Sequence, residues 1–124
     1  MNFGYPETDR TEANDAATFV ESRRNPRFSL DVEVIIHSHS IGVLKGRTVD
    51  ISESGIAVIM KIEVPLSELV QLDFRLAEGP VEIQALVRQR NAFRYGFQFV
   101  EQGPPRDLIR LVCHRLARDQ ATKM

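Results

Sequence analysis

Arg23, Arg24 and Arg27 put three guanidinium groups into the run Arg23-Arg24-Asn25-Pro26-Arg27, and Asp50-Ile51-Ser52-Glu53-Ser54-Gly55 sets a carboxylate, a hydroxyl and a glycine at a strand-to-turn junction. Arginine pairs in bidentate fashion with phosphate oxygens or with the O6/N7 edge of guanine. A carboxylate does the opposite work: it accepts from the N–H groups of guanine and would repel phosphate. A site that needs both signs reads a base as well as a backbone, so the two clusters together suit a guanine-bearing phosphodiester.

The elements around the clusters must hold them in place. Pro26 disfavours the helical region for Asn25, so Arg23 and Arg27 are expected on an extended or turning loop rather than stacked on a helix face. From Leu30 the apolar period is two, with Val32, Val34 and Ile36 alternating, which predicts a half-buried strand. Gly42 marks a turn, and Val43 to Ser52 reads as a second strand, with Arg47, Val49 and Ile51 on one face and Thr48, Asp50 and Ser52 on the other. On that reading Asp50 and Ser52 point the same way while Ile51 anchors the backbone in the core. Gly55 permits either a positive backbone dihedral or a close main-chain approach to a ligand.

Further strands are expected over Ile56 to Met60, Val70 to Leu76, Val81 to Val87 and Tyr95 to Phe99, with turns at Ala77-Glu78-Gly79-Pro80 and Asn91-Ala92. Six short strands at this spacing predict an all-β fold, a small antiparallel β-barrel, because closure removes sheet edges. After Gly103-Pro104-Pro105 the period turns helical, with Leu108, Leu111, Val112 and Leu116 on one stripe, so a C-terminal α-helix is expected to pack on the barrel. The expected organisation is a flexible polar leader over 1–22, with one helical turn near 16–21, a barrel domain over 23–103, and the helix over 104–124.

The order and spacing of R-x-x-x-R at Arg23 to Arg27 and D-x-S-x-x-G at Asp50, Ser52 and Gly55 resemble the signature of the PilZ domain, the bacterial receptor module for cyclic di-GMP. The likeness runs from about Arg23 to Val100, and the Tyr95-Gly96-Phe97-Gln98-Phe99 run is similar to the closing strand of the family. The resemblance implies that Arg23 and Arg27 hold phosphate and guanine, and that Asp50, Ser52 and Gly55 line the base pocket. Arg24 lies inside the first motif and is a further candidate. Of Arg88, Arg90 and Arg94, which flank a hairpin, only Arg88 is retained as a possible extension of the anion site, because it lies on the face opposite Val87. The implied function is that of a non-enzymatic cytoplasmic receptor or adaptor with no cofactor other than its cyclic di-GMP ligand. It would change its N-terminal loop and surface on binding, and signal to a protein partner.

Composition narrows the alternatives. With 124 residues, 43% hydrophobic and 27% charged, the chain suits one globular domain. A net charge of −1 argues against a non-specific RNA or single-strand DNA binder, which normally carries a basic excess. The single cysteine, Cys113, excludes an internal disulfide and fits a reducing compartment; at a helical position beside the apolar stripe it reads as a buried structural thiol. No apolar stretch reaches the roughly 18 to 20 residues that span a bilayer, so neither membrane insertion nor a signal segment is expected. His37 and His39 share a strand end, but the third histidine, His114, falls on the helix, which is too few ligands for a catalytic zinc. Tyr95, Phe97 and Phe99 could stack bases, as sheet aromatics do in RNA binders, but at strict period two they read as core. A phosphodiester-cleaving enzyme lacks a general-acid or metal constellation. An adaptor that no longer binds nucleotide is opposed by the intact motif residues.

Overall fold

The computed structural model describes residues 25–122; the leader with its expected helical turn, and Arg23 and Arg24, lie outside these described residues. Within them the strands are β1 (Phe28–Ser29), β2 (Glu33–Ser38), β3 (Gly42–Ile51), β4 (Gly55–Ile59), β5 (Leu69–Leu76), β6 (Gly79–Asn91) and β7 (Arg94–Phe99), followed by α1 (Pro104–Thr122). All pairings are antiparallel. Strands run in the order β3-β2-β5-β6-β7-β4, and β4 returns to β3, so six strands close into a barrel. The expected six-stranded barrel with a C-terminal helix is therefore what the chain forms. β1 is a seventh, two-residue strand on the outer flank of β3, pairing Phe28 with Ile51 and Ser29 with Asp50.

Period-two alternation fills the interior. Val34, Ile36, Leu72, Phe74, Val81, Ile83, Val87, Tyr95, Phe97 and Phe99 are all buried in one cluster. The aromatic stripe on β7 is therefore core, as its period predicted. Tyr95 keeps its hydroxyl satisfied by accepting from the Val64 amide at 3.2 Å.

The alternation fails within β3, and that failure positions the site. Opposite β4 the register of β3 shifts between Thr48 and Asp50, a β-bulge that leaves Val49 as the extra residue. Thr48 and Ile51 are both buried although they are three apart. The expected face of Arg47, Val49 and Ile51 is thus corrected: Arg47 stands exposed outside the barrel while Ile51 is fully buried within it. The physical reason is the Thr48 hydroxyl. It donates to the Leu30 carbonyl at 2.6 Å and accepts from the Val32 amide at 2.9 Å, while the Leu30 amide donates to the Val49 carbonyl at 3.1 Å. These bonds fasten the chain that follows Arg27 onto β3, directly beside Asp50.

The helix also differs in detail from its expected stripe. Ile109, Val112 and Cys113 are buried and Leu108 and Leu116 partly so, whereas Leu111 is 61% exposed. At about 100° per residue, Arg106 and Arg115 fall on opposite flanks of this buried stripe. Each guanidinium is bound to the barrel: Arg106 to the Glu53 carbonyl, and Arg115 through Nε and Nη2 to both carboxylate oxygens of Glu78 at the β5–β6 turn. The Arg115 pairing holds the Glu78 carboxyl below the usual carboxylate range. These flanking bonds accompany the rotation of α1 that buries Ile109, Val112 and Cys113 and leaves Leu111 outward. Cys113 is the buried thiol its position implied, and burial pushes its pKa up to about 11.

Candidate functional site

Asp50 sits on the outer wall of the barrel just past the bulge. Arg27 Nε donates to its Oδ1 at 2.8 Å, with Nη2 at 2.7 Å from the same oxygen, and Arg94 Nη2 donates to Oδ2 at 3.0 Å. Both carboxylate oxygens are thus engaged by guanidinium groups from two distant parts of the chain. The carboxylate is 18% exposed, against 35% for Arg27 and 51% for Arg94, so the arginines form the solvent-facing layer. Two guanidinium groups on one carboxylate leave a surplus positive charge.

Across the sheet Asp50 lies opposite Ala57, and Ala57 opposite Gly96. Their strand neighbours Ile56, Val58, Tyr95 and Phe97 all point into the core, so Ala57 and Gly96 face outward. Two of the smallest residues therefore lie beside the carboxylate and form a low shelf on the wall, covered as it stands, with Ala57 only 4% exposed. Arg94 stands one row over, opposite Ile59, and reaches diagonally back to Asp50.

The Ser52-to-Gly55 turn is held by its own serine. Ser52 is fully buried, and its Oγ accepts from the Ser54 and Gly55 amides, each at 3.2 Å, while the Ser52 amide donates to the Gly55 carbonyl at 2.8 Å. The hydroxyl shapes the turn, the ordinary use of serine at such a position. Gly55 is not in the left-handed region. Its constraint is a close approach, and the approaching group belongs to the protein: a Cβ there would stand 2.4 Å from the Phe97 carbonyl oxygen. Because that obstacle is the backbone of β7, Gly55→Ala should part β4 from β7 and destabilise the fold by about 1–3 kcal/mol, the usual cost of overpacking. Thermal unfolding of the variant checks this.

Of the residues singled out from the sequence, the structure brings Arg27 to Asp50 and sets Ser52 and Gly55 in the adjoining turn. Arg88 is an exposed residue at a second register shift, between Val87 and Gln89 of β6. The arginine that reaches Asp50 from the β6–β7 hairpin is Arg94, which sequence reasoning set aside. Its signal lay in the pairing of β4 with β7, which joins segments about forty residues apart and has no local trace. His37 pairs with Asp73 at 2.7 Å on the outer face of β2 and β5. Among the described residues no group of three His, Cys, Asp or Glu side chains is placed to hold a metal, and no helix is long and apolar enough to cross a membrane.

The described residues thus form a closed barrel with an arginine–carboxylate cluster on its wall, next to a strand-to-turn motif. The PilZ domain pattern matches residues 21–114, and the chain belongs to the PilZ domain family. No curated protein matches it. Among solved structures, the PilZ domain of YcgR from Escherichia coli with c-di-GMP superposes with a TM-score of 0.64 at 17% identity, covering 82% of this chain and 95% of that one. The PilZ domain of CeSA from a cellulose-synthesizing bacterium gives 0.64 at 19% identity, covering 74% of this chain and 98% of that one. The MrkH–c-di-GMP complex of K. pneumonia gives 0.69 at 20% identity, with 82% of this chain covering 54% of the longer one. At these identities the likeness establishes the fold.

Proposed function

We propose that this chain is a cytoplasmic, non-catalytic receptor for cyclic di-GMP. The observation that carries the reading is the Asp50 carboxylate held between Arg27 and Arg94 beside the Ala57–Gly96 shelf. A guanine lying on that shelf would offer its N–H groups to Asp50. Its O6/N7 edge and the adjoining phosphate would take up the guanidinium forks as these leave the carboxylate. The exchange conserves charge-assisted bonds, so it needs no large reorganisation of the barrel. Arg23 and Arg24 belong to the same arginine run and would add charge toward the second phosphate. Ser52 and Gly55 contribute by fixing the turn rather than by touching the base.

Family membership and the two c-di-GMP-bound neighbours, YcgR and MrkH, support the choice of ligand. The barrel of residues 23–103 would serve as the receiving unit, and its changed surface around Arg27 would be read by a protein partner. Isothermal calorimetry of the purified chain with cyclic di-GMP tests the reading. Saturable binding with a defined stoichiometry is expected, and the absence of any saturable signal at high micromolar ligand would overturn it.

A further inference from the structure

The carbonyl of Glu53 accepts a hydrogen bond from Arg106 Nε at 2.9 Å, and the amide of Ser54, at the other end of the same peptide unit, donates to Ser52 Oγ. A peptide unit is planar, so a group that fixes its carbonyl also fixes the direction of its N–H. The Gly55 amide donates to the same hydroxyl, and the Ser54 carbonyl accepts from the Phe99 amide at 2.9 Å. The turn between Asp50 and Gly55 is therefore assembled from inside by Ser52 and closed from outside by one side chain of α1. Arg106 is partly buried, and its second contact, Nη1 to the Glu101 carbonyl, is long at 3.5 Å. Its well-formed bond is the one to the turn. One helical turn later, Arg110 approaches the Glu53 carboxylate at 3.8 Å.

We propose that Arg106 is a positioning residue for cyclic di-GMP binding: by holding the Glu53–Ser54 peptide it keeps the turn after Asp50 in its binding geometry, and so couples the site to the seating of α1. The proposal rests on the cyclic di-GMP reading above. Without the guanidinium, the Glu53 carbonyl loses this partner, and the Glu53–Ser54 peptide is held from one end alone, by the Ser54 amide on the Ser52 hydroxyl at 3.2 Å. Asp50, two residues before Ser52, then loses the fixed support on one side. Coupling is reciprocal, so a ligand that prefers the ordered turn also favours the seated helix.

Three full-length variants separate positioning from general stability. Arg106→Ala removes the bond to the turn, Arg106→Lys keeps one donor to the carbonyl, and Arg115→Ala releases the opposite flank of the same helix from Glu78. Calorimetry with cyclic di-GMP should show affinity about ten-fold lower in Arg106→Ala, the loss expected for one charge-assisted bond, with most of it recovered in Arg106→Lys. Arg115→Ala should stay within about two-fold of wild type, because its contacts lie at the β5–β6 turn. Hydrogen exchange on the unliganded proteins should show the Ser54 and Gly55 amides faster in Arg106→Ala and unchanged in Arg115→Ala. Equal losses of affinity in Arg106→Ala and Arg115→Ala, or unchanged exchange of those two amides, would overturn the proposal. If wild type itself binds no cyclic di-GMP, the functional reading fails, and the exchange comparison still decides whether Arg106 holds the turn.

Discussion

Arg27→Ala should weaken cyclic di-GMP binding roughly ten- to a hundred-fold, the cost of about 1.5–3 kcal/mol for a lost charge-assisted contact, while the barrel stays folded. Arg27 lies outside the core, and its bonds run to one carboxylate that Arg94 also engages. Removing an exposed member of such a pair costs a fold little, typically under about 1 kcal/mol. On the proposed reading its role in binding is larger, since the guanidinium freed from Asp50 would donate to a phosphate arriving beside β1. Arg23→Ala is expected to act in the same direction from its place in the motif. Calorimetry alongside thermal unfolding gives the two quantities separately. Wild-type affinity in both variants would remove the arginine run from the site.

The legible part of this chain was the part governed by period and punctuation. Four of the barrel strands follow from alternating apolar residues, and β3 and β4 from the turn residues that bound them. The turn at Gly79 follows from its glycine, which the chain uses at a φ of 141°. The bulge was not legible, because Thr48-Val49-Asp50-Ile51 alternates polar and apolar on paper. What breaks the alternation is Thr48 bonding to Leu30 and Val32, sixteen or more residues away, and no local pattern encodes that. The two-residue β1 depends on the same bonds and was equally hidden.

The helix carried a different ambiguity. Leu108, Ile109, Leu111, Val112, Cys113 and Leu116 supply more apolar positions than one stripe can use, so hydrophobicity alone admits two rotations. The chain adopts the rotation that buries Ile109, Val112 and Cys113, with Arg106 and Arg115 bonded on its two flanks. In the site, Asp50 and Arg27 were readable from residue type and spacing. Arg94 was not, because its access to Asp50 depends on the long-range pairing of β4 with β7.

Cyclic di-AMP should bind roughly a hundred-fold or more weakly than cyclic di-GMP, because a site built to hydrogen-bond a group rejects the analogue that lacks it. Guanine presents N–H groups at N1 and N2, which a carboxylate accepts, and O6 and N7, which an arginine fork donates to. Adenine has no amino group at position 2, carries a lone pair at N1 and places an amino donor where O6 would be. On the Ala57–Gly96 shelf that lone pair would face Asp50, and the amino group would face a guanidinium, so both contacts turn from attractive to repulsive. The barrel cannot relax to relieve this, since Ile51, beside Asp50, and Ile56 and Val58, beside Ala57, are fully buried. A flat apolar shelf alone would accept either base, so the discrimination belongs to the charges. Asp50→Ala should therefore narrow the ratio between the two dinucleotides, even as it lowers affinity for the guanine form. Parallel calorimetric titrations measure the ratio directly. Equal affinities in the wild-type chain, or tighter binding of single-stranded RNA than of either dinucleotide, would mean that the wall reads phosphate and stacking alone. Asp50 would then be only the anchor that holds Arg27 and Arg94 in place.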